Sequence, residues 1–472
     1  MIGGFDILVI GAGPGGHAAA LQAARQGARA AIIERGKWGG TCTHRGCIPT
    51  KTLLACSRRF AELKKSRRMG VDVAGASFDY AAMKRHQEQI VNVSALGVQK
   101  TLQDAGVAMI AGEGRIVSPR EVEWTASDGV RQRIAAKDVV VAWGSEPALP
   151  SGVEPSARIL TSDGVLSLTA VPSSILIVGG SVIGVEFATL FAELGVRVTL
   201  VEMLERLLPC EEPEASQLLT QELRKMGVAI HTGVRMEAIR DAGSEVELHL
   251  CPAVPAAVRS SQTEDPRGVP PACASPAVPV ELTAEVALIS TGRKPSLRAE
   301  ELDALGIRYD RRGIIVDSHQ QTNIPGIHAI GDVTGGMMLA HRAMRQGKAL
   351  AGRLLGDPQF DYREATVPTV AYAHPQIARV GLTEKEAREK GFAVDVHRTD
   401  YAANIIARAT LLGQGFVKLV FHGERLLGAT VAGEQAGELI APLSLALTAG
   451  LGRRQLRNWL IPHPTLSELI GL

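Results

Sequence analysis

Residues 39–51 read Gly39-Gly40-Thr41-Cys42-Thr43-His44-Arg45-Gly46-Cys47-Ile48-Pro49-Thr50-Lys51. Two thiols separated by four residues, with glycine before and between them and proline just after, form the pattern of a compact redox hairpin. The glycines permit a tight turn, and Pro49 suits the first turn of a helix, where its missing N–H costs nothing. The run Thr50 to Arg59 reads as that helix. A cysteine at a helix N-terminus faces the positive end of the dipole, which favours the thiolate. One of the two sulfurs is therefore expected to ionise easily when reduced. The competing chemistry is half of a zinc site. Structural zinc asks for further ligands at short spacing, and no C-x2-C or H-x3-H pair occurs anywhere in the sequence. No metal is expected.

The segment just before the hairpin supplies a place for a cofactor. An apolar run, Phe5 to Ile10, predicts a buried parallel strand. It leads into Gly11-Ala12-Gly13-Pro14-Gly15-Gly16, then an alanine-rich helical stretch from His17 to Gln26, then a second strand, Ala28 to Ile33, ending at Glu34. Strand, GxGxxG, helix, strand and terminal acid in that order form a dinucleotide fingerprint. Gly11, Gly13 and Gly16 let a backbone turn approach a pyrophosphate at the helix N-terminus, and Glu34, 23 residues beyond Gly11, is placed to take ribose hydroxyls.

The pattern then repeats. Ser174 to Val178 is a strand, Gly179-Gly180-Ser181-Val182-Ile183-Gly184 a second glycine turn, Val185 to Leu194 a helix, and Arg197 to Val201 a strand ending at Glu202, again 23 residues after the first glycine. A βαβ unit that recurs with matched spacing is an internal duplication, so two dinucleotides are expected. Gly179 and Gly184 keep the fingerprint, while Ser181 adds a side chain where the pyrophosphate comes close. Glu202 is expected to hold the adenosine 2′-hydroxyl and repel a 2′-phosphate, which selects NAD over NADP. Arg206 reads as a solvated loop charge.

Other stretches complete the outline. Phe78 to Leu102 has helical periodicity, and strands are expected at Val107–Ala111, Glu121–Trp124 and Asp138–Ala142. Trp143-Gly144-Ser145-Glu146-Pro147 resembles Thr291-Gly292-Arg293-Lys294-Pro295, so each nucleotide unit is expected to return to the first sheet. Between them, residues 251–280 are rich in Pro, Ala and Ser and read as a surface insertion between two strands, with Cys251 and Cys273 incidental. Gly331-Asp332 follows a strand and precedes Gly335-Gly336, where a helix start is expected. Asp332 there suits a ribityl or ribose hydroxyl, or else a helix cap. Residues beyond 360 read as a separate α/β domain without a glycine fingerprint. Its tail, Ile461-Pro462-His463-Pro464-Thr465-Leu466-Ser467-Glu468, presents a histidine between prolines with Glu468 near enough to orient it.

Composition narrows the partners. At 472 residues the chain exceeds a single core. A net charge of +2 and 4% aromatic residues give no basic or stacking platform for nucleic acid. The uncharged runs that reach the ~18 residues of a membrane helix, 7–24 and 164–185, are broken by Gly11-Ala12-Gly13-Pro14 and by Pro172 with Gly179-Gly180, so no membrane span is expected. Six cysteines are too few for a disulfide scaffold, and the N-terminus lacks a basic region before its first strand. A cytoplasmic protein is expected.

These motifs together resemble the pyridine nucleotide–disulfide oxidoreductases from end to end, and within them the dihydrolipoamide dehydrogenase branch. The features that carry the branch are Gly46-Cys47-Ile48-Pro49-Thr50-Lys51, the acid at Glu202, Tyr401-Ala402-Ala403-Asn404 with Arg408, and His463-Pro464-Thr465-Leu466-Ser467-Glu468. The resemblance implies an α/β fold of two Rossmann-like dinucleotide-binding domains plus a C-terminal α/β dimerisation domain. Its expected division is 1–150 for FAD, 151–285 for NAD with the insertion at 251–280, 286–355 as a central domain completing the FAD site, and 356–472 for dimerisation. It implies FAD at Gly11, Gly13, Gly16, Glu34, Lys51, Gly331 and Asp332, and NAD at Gly179, Gly184, Glu202 and Gly292. Cys42 is then the interchange thiol and Cys47 the flavin-proximal one. Lys51 lies by the flavin and is paired with Glu186, and His463 from the other subunit of a homodimer is the acid–base, oriented by Glu468.

The activity so implied passes electrons between dihydrolipoamide and NAD, with a lipoyl-bearing protein or a small disulfide as partner. Since no lipoyl stretch precedes the first strand, that protein is expected to be a separate chain. The ending Ile470-Gly471-Leu472 lacks the cysteine pair of mercuric reductases. Thr43-His44-Arg45, Trp143 and Ser181 depart from the family pattern. His44 and Arg45 keep open the reduction of another low-molecular-weight disulfide, as in glutathione reductases, and a mainly structural flavoprotein subunit is the third reading.

Overall fold

A computed structural model describes residues 2–253, 280–357 and 361–472. The chain forms two compact units, each drawn from separate stretches: Met1–Leu53, Ala81–Ala148 and Arg293–Glu364 in one, and Leu54–Tyr80, Leu149–Gly292 and Ala365–Leu472 in the other.

The first unit is built on a seven-stranded sheet ordered Ala108–Ala111, Ala30–Glu34, Ile2–Ile10, Arg131–Val141, Glu121–Thr125, Glu113–Ser118, with Ile327–Ala329 also on Arg131–Val141. Ala30–Glu34 and the Val139–Val141 end of Arg131–Val141 run parallel to Ile2–Ile10 and are buried on both faces, which is why they read as Val/Ile/Ala runs. Helix Pro14–Arg25 packs against helix Ala340–Leu354 through small residues: a Cβ on Gly347 would lie 2.5 Å from the Gly15 carbonyl oxygen. The alanine richness of the first helix thus serves a close helix–helix approach.

The second unit repeats the plan. Its parallel sheet is ordered Ala229–Thr232, Arg197–Glu202, Ser174–Val178, Val286–Ile289, Ile159–Leu160. It carries a three-stranded antiparallel sheet, Val234–Asp241, Val246–Pro252 and Val280–Ala284, as the first unit carries Glu113–Ser118 and Glu121–Thr125. The same unit holds a five-stranded antiparallel sheet ordered Thr369–Ala371, Gln376–Gly381, Arg425–Gly433, Phe416–His422, Asp395–Asp400. Helix Ala436–Thr448 covers it over a core that includes Tyr401, Leu419, Phe421, Val431 and Leu443.

Several local expectations change. The helix after the hairpin begins at Cys47 rather than Thr50, and Cys42 lies in its own short helix, Gly40–Arg45. The strand Glu113–Ser118 was not anticipated. Cys251 belongs to the strand Val246–Pro252 and is buried, so it is part of the framework and not of an insertion. The rest of the Pro-rich stretch, residues 254–279, lies outside the described residues; the strands on either side of it pair antiparallel. Gly335 and Gly336 have φ of 69° and 68° and form a left-handed turn, and the helix starts only at Ala340. The two similar turns do not join the first sheet. They pair with each other, Arg293 opposite Pro147 and Pro295 opposite Ser145, as a separate antiparallel ribbon.

Candidate active site

The hairpin is seated directly on the first glycine turn. Gly39 N–H donates to the Ala12 carbonyl at 3.0 Å, and a Cβ on Gly40 would lie 2.8 Å from Gly13 Cα. Gly39 and Gly40 both have positive φ, 103° and 61°, which explains the glycine pair before the first cysteine. The side chains of Cys42 and Cys47 hydrogen-bond to each other. That bond, and then burial, pushes the Cys42 thiol far up, against the pull of the Lys51 charge. Cys47, as the first residue of the helix Cys47–Lys65, stands at the positive end of the dipole. His44, between them, is half-buried, and its Nε2 donates to the Trp38 carbonyl at 2.9 Å.

The two glycine turns share one design. Gly11 and Gly179 have φ of 111° and 110°. A Cβ on Gly16 would sit 1.9 Å from the Gly11 carbonyl oxygen, and one on Gly184 1.8 Å from that of Gly179. Each strand-end acid clamps its turn. Glu34 accepts from Ala12 N–H and Gly36 N–H, both at 2.7 Å. Glu202 accepts from Gly180 N–H at 2.6 Å and Leu204 N–H at 2.8 Å. A carboxylate has about four lone-pair sites, so each keeps capacity for hydroxyls.

Gly13 differs from its neighbours, since a Cβ there would meet nothing within 4 Å. The protein itself does not require glycine at that position. An open space before an uncapped helix start is the shape a pyrophosphate fills. Ser181 occupies the same place in the second turn with the same extended backbone, φ −79° and ψ −172°, and its side chain makes no capping bond. Arg206 donates to the carbonyls of Pro209 and Glu211, at 2.6 and 2.8 Å. It braces a loop, where a solvated charge was expected.

Asp332 opens the short helix Gly331–Thr334 and accepts from the Ser145 hydroxyl at 2.6 Å. Arg293 holds that serine from the other side, with Nε on its hydroxyl at 2.8 Å and Nη2 on its carbonyl at 2.7 Å. Neither Ser145 nor Arg293 was marked as functional by the sequence, although the similarity of the two turns was the available signal. Gly331 donates its N–H to Gln346 Oε1 at 2.8 Å. Gly292 has φ of 124° and open space at its Cβ.

At the other end of the chain His463 Nδ1 lies 2.8 Å from Glu468 Oε1. The second oxygen of Glu468 accepts Thr465 N–H at 2.9 Å, and Asn404 Nδ2 donates to the Thr465 carbonyl, also at 2.9 Å. The Tyr-Ala-Ala-Asn segment therefore braces the histidine loop. With Nδ1–H donated to Glu468, the exposed Nε2 is left as the basic nitrogen. Glu468 is held below the usual carboxylate range, first by His463 and then by the Thr465 N–H. Glu186 is buried on helix Val182–Glu193 and accepts Tyr372 N–H at 2.9 Å. Among the described residues the candidate metal-ligand group is Glu247, His249 and Glu281, to which neither hairpin cysteine belongs. No helix among the described residues is long and apolar enough to cross a membrane.

A duplicated dinucleotide fold with a dithiol hairpin on its first glycine turn defines a two-cofactor thiol–disulfide redox protein. The chain belongs to the pyridine nucleotide–disulphide oxidoreductases: residues 5–347 match that family's domain and residues 367–471 its dimerisation domain. It is 37% identical over 471 residues to a dihydrolipoyl dehydrogenase of Chlorobaculum tepidum, covering 99% of this chain and 95% of the relative. It is 34% identical over 469 residues to one of Bacillus subtilis, covering 98% and 96%. Among solved structures it resembles LpdA from Mycobacterium tuberculosis, with a TM-score of 0.88, 26% identity and 98% of both chains covered. It also resembles the HOCl-induced flavoprotein disulfide reductase RclA from Escherichia coli, with a TM-score of 0.81, 26% identity and 98% of both chains covered. The protein is thus an FAD-dependent disulfide oxidoreductase of α/β fold, with FAD and NAD as its cofactors.

Proposed function

We propose that this oxidoreductase is a dihydrolipoyl dehydrogenase that passes electrons from dihydrolipoamide to NAD through Cys42 and Cys47. The observation that carries the reading is the hydrogen-bonded thiol pair seated on the first glycine turn. The names of its full-length relatives and the acid at Glu202 favour this substrate and nucleotide. In this reading residues 1–150 and 286–355 hold FAD, 151–285 hold NAD, and 356–472 form a homodimer.

The chemistry of the chain's own groups is thiol exchange. A dihydrolipoamide thiolate attacks the Cys42 sulfur, the Cys42–Cys47 bond breaks, and Cys47 leaves as a thiolate beside Lys51. The second substrate thiol attacks its own mixed disulfide and expels Cys42. His463 of the partner subunit takes and returns the thiol protons, with Glu468 fixing its tautomer. Glu186 pairs with Lys51 and holds it in place. Bound FAD supplies the two-electron link between the thiol pair and the nicotinamide. Glu34 and Asp332 hold its hydroxyls, and Gly11, Gly13 and Gly16 its pyrophosphate; Gly179, Gly184, Glu202 and Gly292 serve NAD.

A second reading, reduction of another small disulfide, is favoured by His44 and Arg45 inside the hairpin and by the likeness to RclA. Steady-state turnover with NAD plus dihydrolipoamide, measured beside NADPH plus glutathione disulfide and NADH plus other small disulfides, decides between them. Turnover confined to a disulfide other than lipoamide would overturn the first reading.

A further inference from the structure

Helix Val182–Glu193 is apolar along most of its length yet ends on a buried glutamate. Glu193 Oε2 accepts the Ser57 hydroxyl at 2.6 Å, and its Oε1 faces His374 Nδ1 at 2.9 Å. The other edge of the ring, Nε2, lies 3.5 Å from Glu434 Oε2, which also pairs with Arg58 Nη2. Arg58 reaches Glu62 through Nε at 2.9 Å, and Tyr401 donates its hydroxyl to the Glu434 carbonyl at 2.7 Å. Helix Cys47–Lys65, the end of helix Val182–Glu193, the segment after Thr369–Ala371 and the turn after Arg425–Gly433 all meet here.

The two buried carboxylates, Glu193 and Glu434, are matched by Arg58 and His374 only when His374 is protonated; Glu62, the third carboxylate on Arg58, is exposed to solvent. Burial opposes the imidazolium, but the bonds to Glu193 and Glu434 outweigh it and hold His374 above the ordinary histidine range. A buried ion cluster adds little net stability over apolar packing, and its better-attested use is to fix one arrangement among several. Tyr372 N–H, two residues from His374, meets Glu186 on the same helix that carries Glu193.

We propose that His374, clamped between Glu193 and Glu434, is a positioning residue for the dithiol reaction: through Ser57 and Arg58 it fixes the axial register of helix Cys47–Lys65. That helix is unbroken, and Ser57 lies about 15 Å along it from Cys47. Cys47 and Lys51, on its first turns, therefore move when the clamp slips. The inference rests on the Cys42–Cys47 pair being the reacting thiols. Since the folded value of His374 is raised, the clamp is intact at lower pH and loosens as pH rises through that value.

The test is alkylation by iodoacetamide in the full-length, flavin-loaded and dithiol-reduced protein, with Cys42 and Cys47 adducts quantified separately from about pH 6 to pH 9. In the wild type the ratio of the two rates steps by about threefold or more as His374 titrates, in line with the sensitivity of such sites to displacement. His374→Gln shows the alkaline ratio throughout. Glu193→Gln removes one charge while its amide oxygen still accepts from His374 and its amide N–H donates to the Ser57 oxygen, and it moves the step to lower pH. A folded His374→Gln protein with the wild-type ratio and step would overturn the proposal, as would failure of both variants to fold, which would leave the cluster a role in stability alone. Full disulfide turnover by Cys42→Ser would instead overturn the dithiol reading, whatever the alkylation profile.

Discussion

Glu468 Oε1 lies 2.8 Å from His463 Nδ1, while its second oxygen is fixed by Thr465 N–H. One carboxylate thus orients the imidazole and caps its own short helix. His463→Gln should lower turnover with a disulfide substrate by roughly 10²–10⁴-fold, while stopped-flow reduction of the flavin by NADH stays near the wild-type rate. Equal loss of both rates would place the proton transfer elsewhere. Because the folded value of Glu468 is depressed, the His463 bond is present above the ordinary carboxylate range and is lost only as pH falls through that lowered value.

The roles of the two thiols are separable by spectrum. Two-electron anaerobic reduction should give a long-wavelength absorption band from a Cys47 thiolate held near the flavin. Cys47→Ser should abolish it, and Cys42→Ser should retain it. Direct bleaching of the wild type without such a band would remove Cys47 from that position.

Gly13 and Gly16 lie three residues apart and should fail in different ways. A Cβ on Gly16 collides with the Gly11 carbonyl oxygen, so Gly16→Ala should destabilise the fold by about 1–3 kcal/mol or more. A Cβ on Gly13 touches no protein atom. Gly13→Ala should therefore leave the flavin-free protein's melting temperature unchanged yet weaken FAD binding, measured by fluorescence on reconstitution. Ser181→Gly is the mirror experiment and should tighten NADH binding by about fivefold, equivalent to ~1 kcal/mol. No change in NADH affinity would mean that Ser181 does not crowd the nucleotide.

Glu202 should exclude NADPH in a way that substitution does not readily reverse. Both its oxygens hold backbone N–H groups, and Arg206 is committed to two carbonyls. Glu202→Ala leaves two backbone donors unpaired at about 1–3 kcal/mol each. The expected result is a lower melting temperature and weaker NADH binding with no gain in NADPH turnover. A switch to NADPH would show that charge repulsion alone sets the preference.

Much of this architecture is legible because the duplication writes itself into spacing. The 23-residue interval from Gly11 to Glu34 and from Gly179 to Glu202 reports a strand, a turn and a helix of fixed length. The buried strands read plainly because parallel sheets ask for apolar residues on both faces. What could not be read depends on contacts between distant segments. Arg293 and Ser145 meet across 148 positions, and His374 meets Glu193 across 181. No local pattern marks such pairs. The one hint was negative, a glutamate closing an apolar helix. Helix limits slipped where capping decides them, as at Cys47, whose place is set by the fold of the hairpin before it.

The ribbon between Ser145–Pro147 and Arg293–Pro295 bears on how the protein is made. On the ribosome, most of the first sheet emerges early, but its strand Ile327–Ala329 comes late, and Asp332, the partner of Ser145, lies 187 positions after that serine. Until then the N-terminal strands have an unfinished edge, and everything from 149 to 292 must be synthesised in between. Such long-range closure is slow and leaves the nascent chain exposed to aggregation. Truncations that end before Ile327 should therefore accumulate as insoluble or chaperone-bound chains, even though they contain the whole dithiol hairpin and its glycine turn.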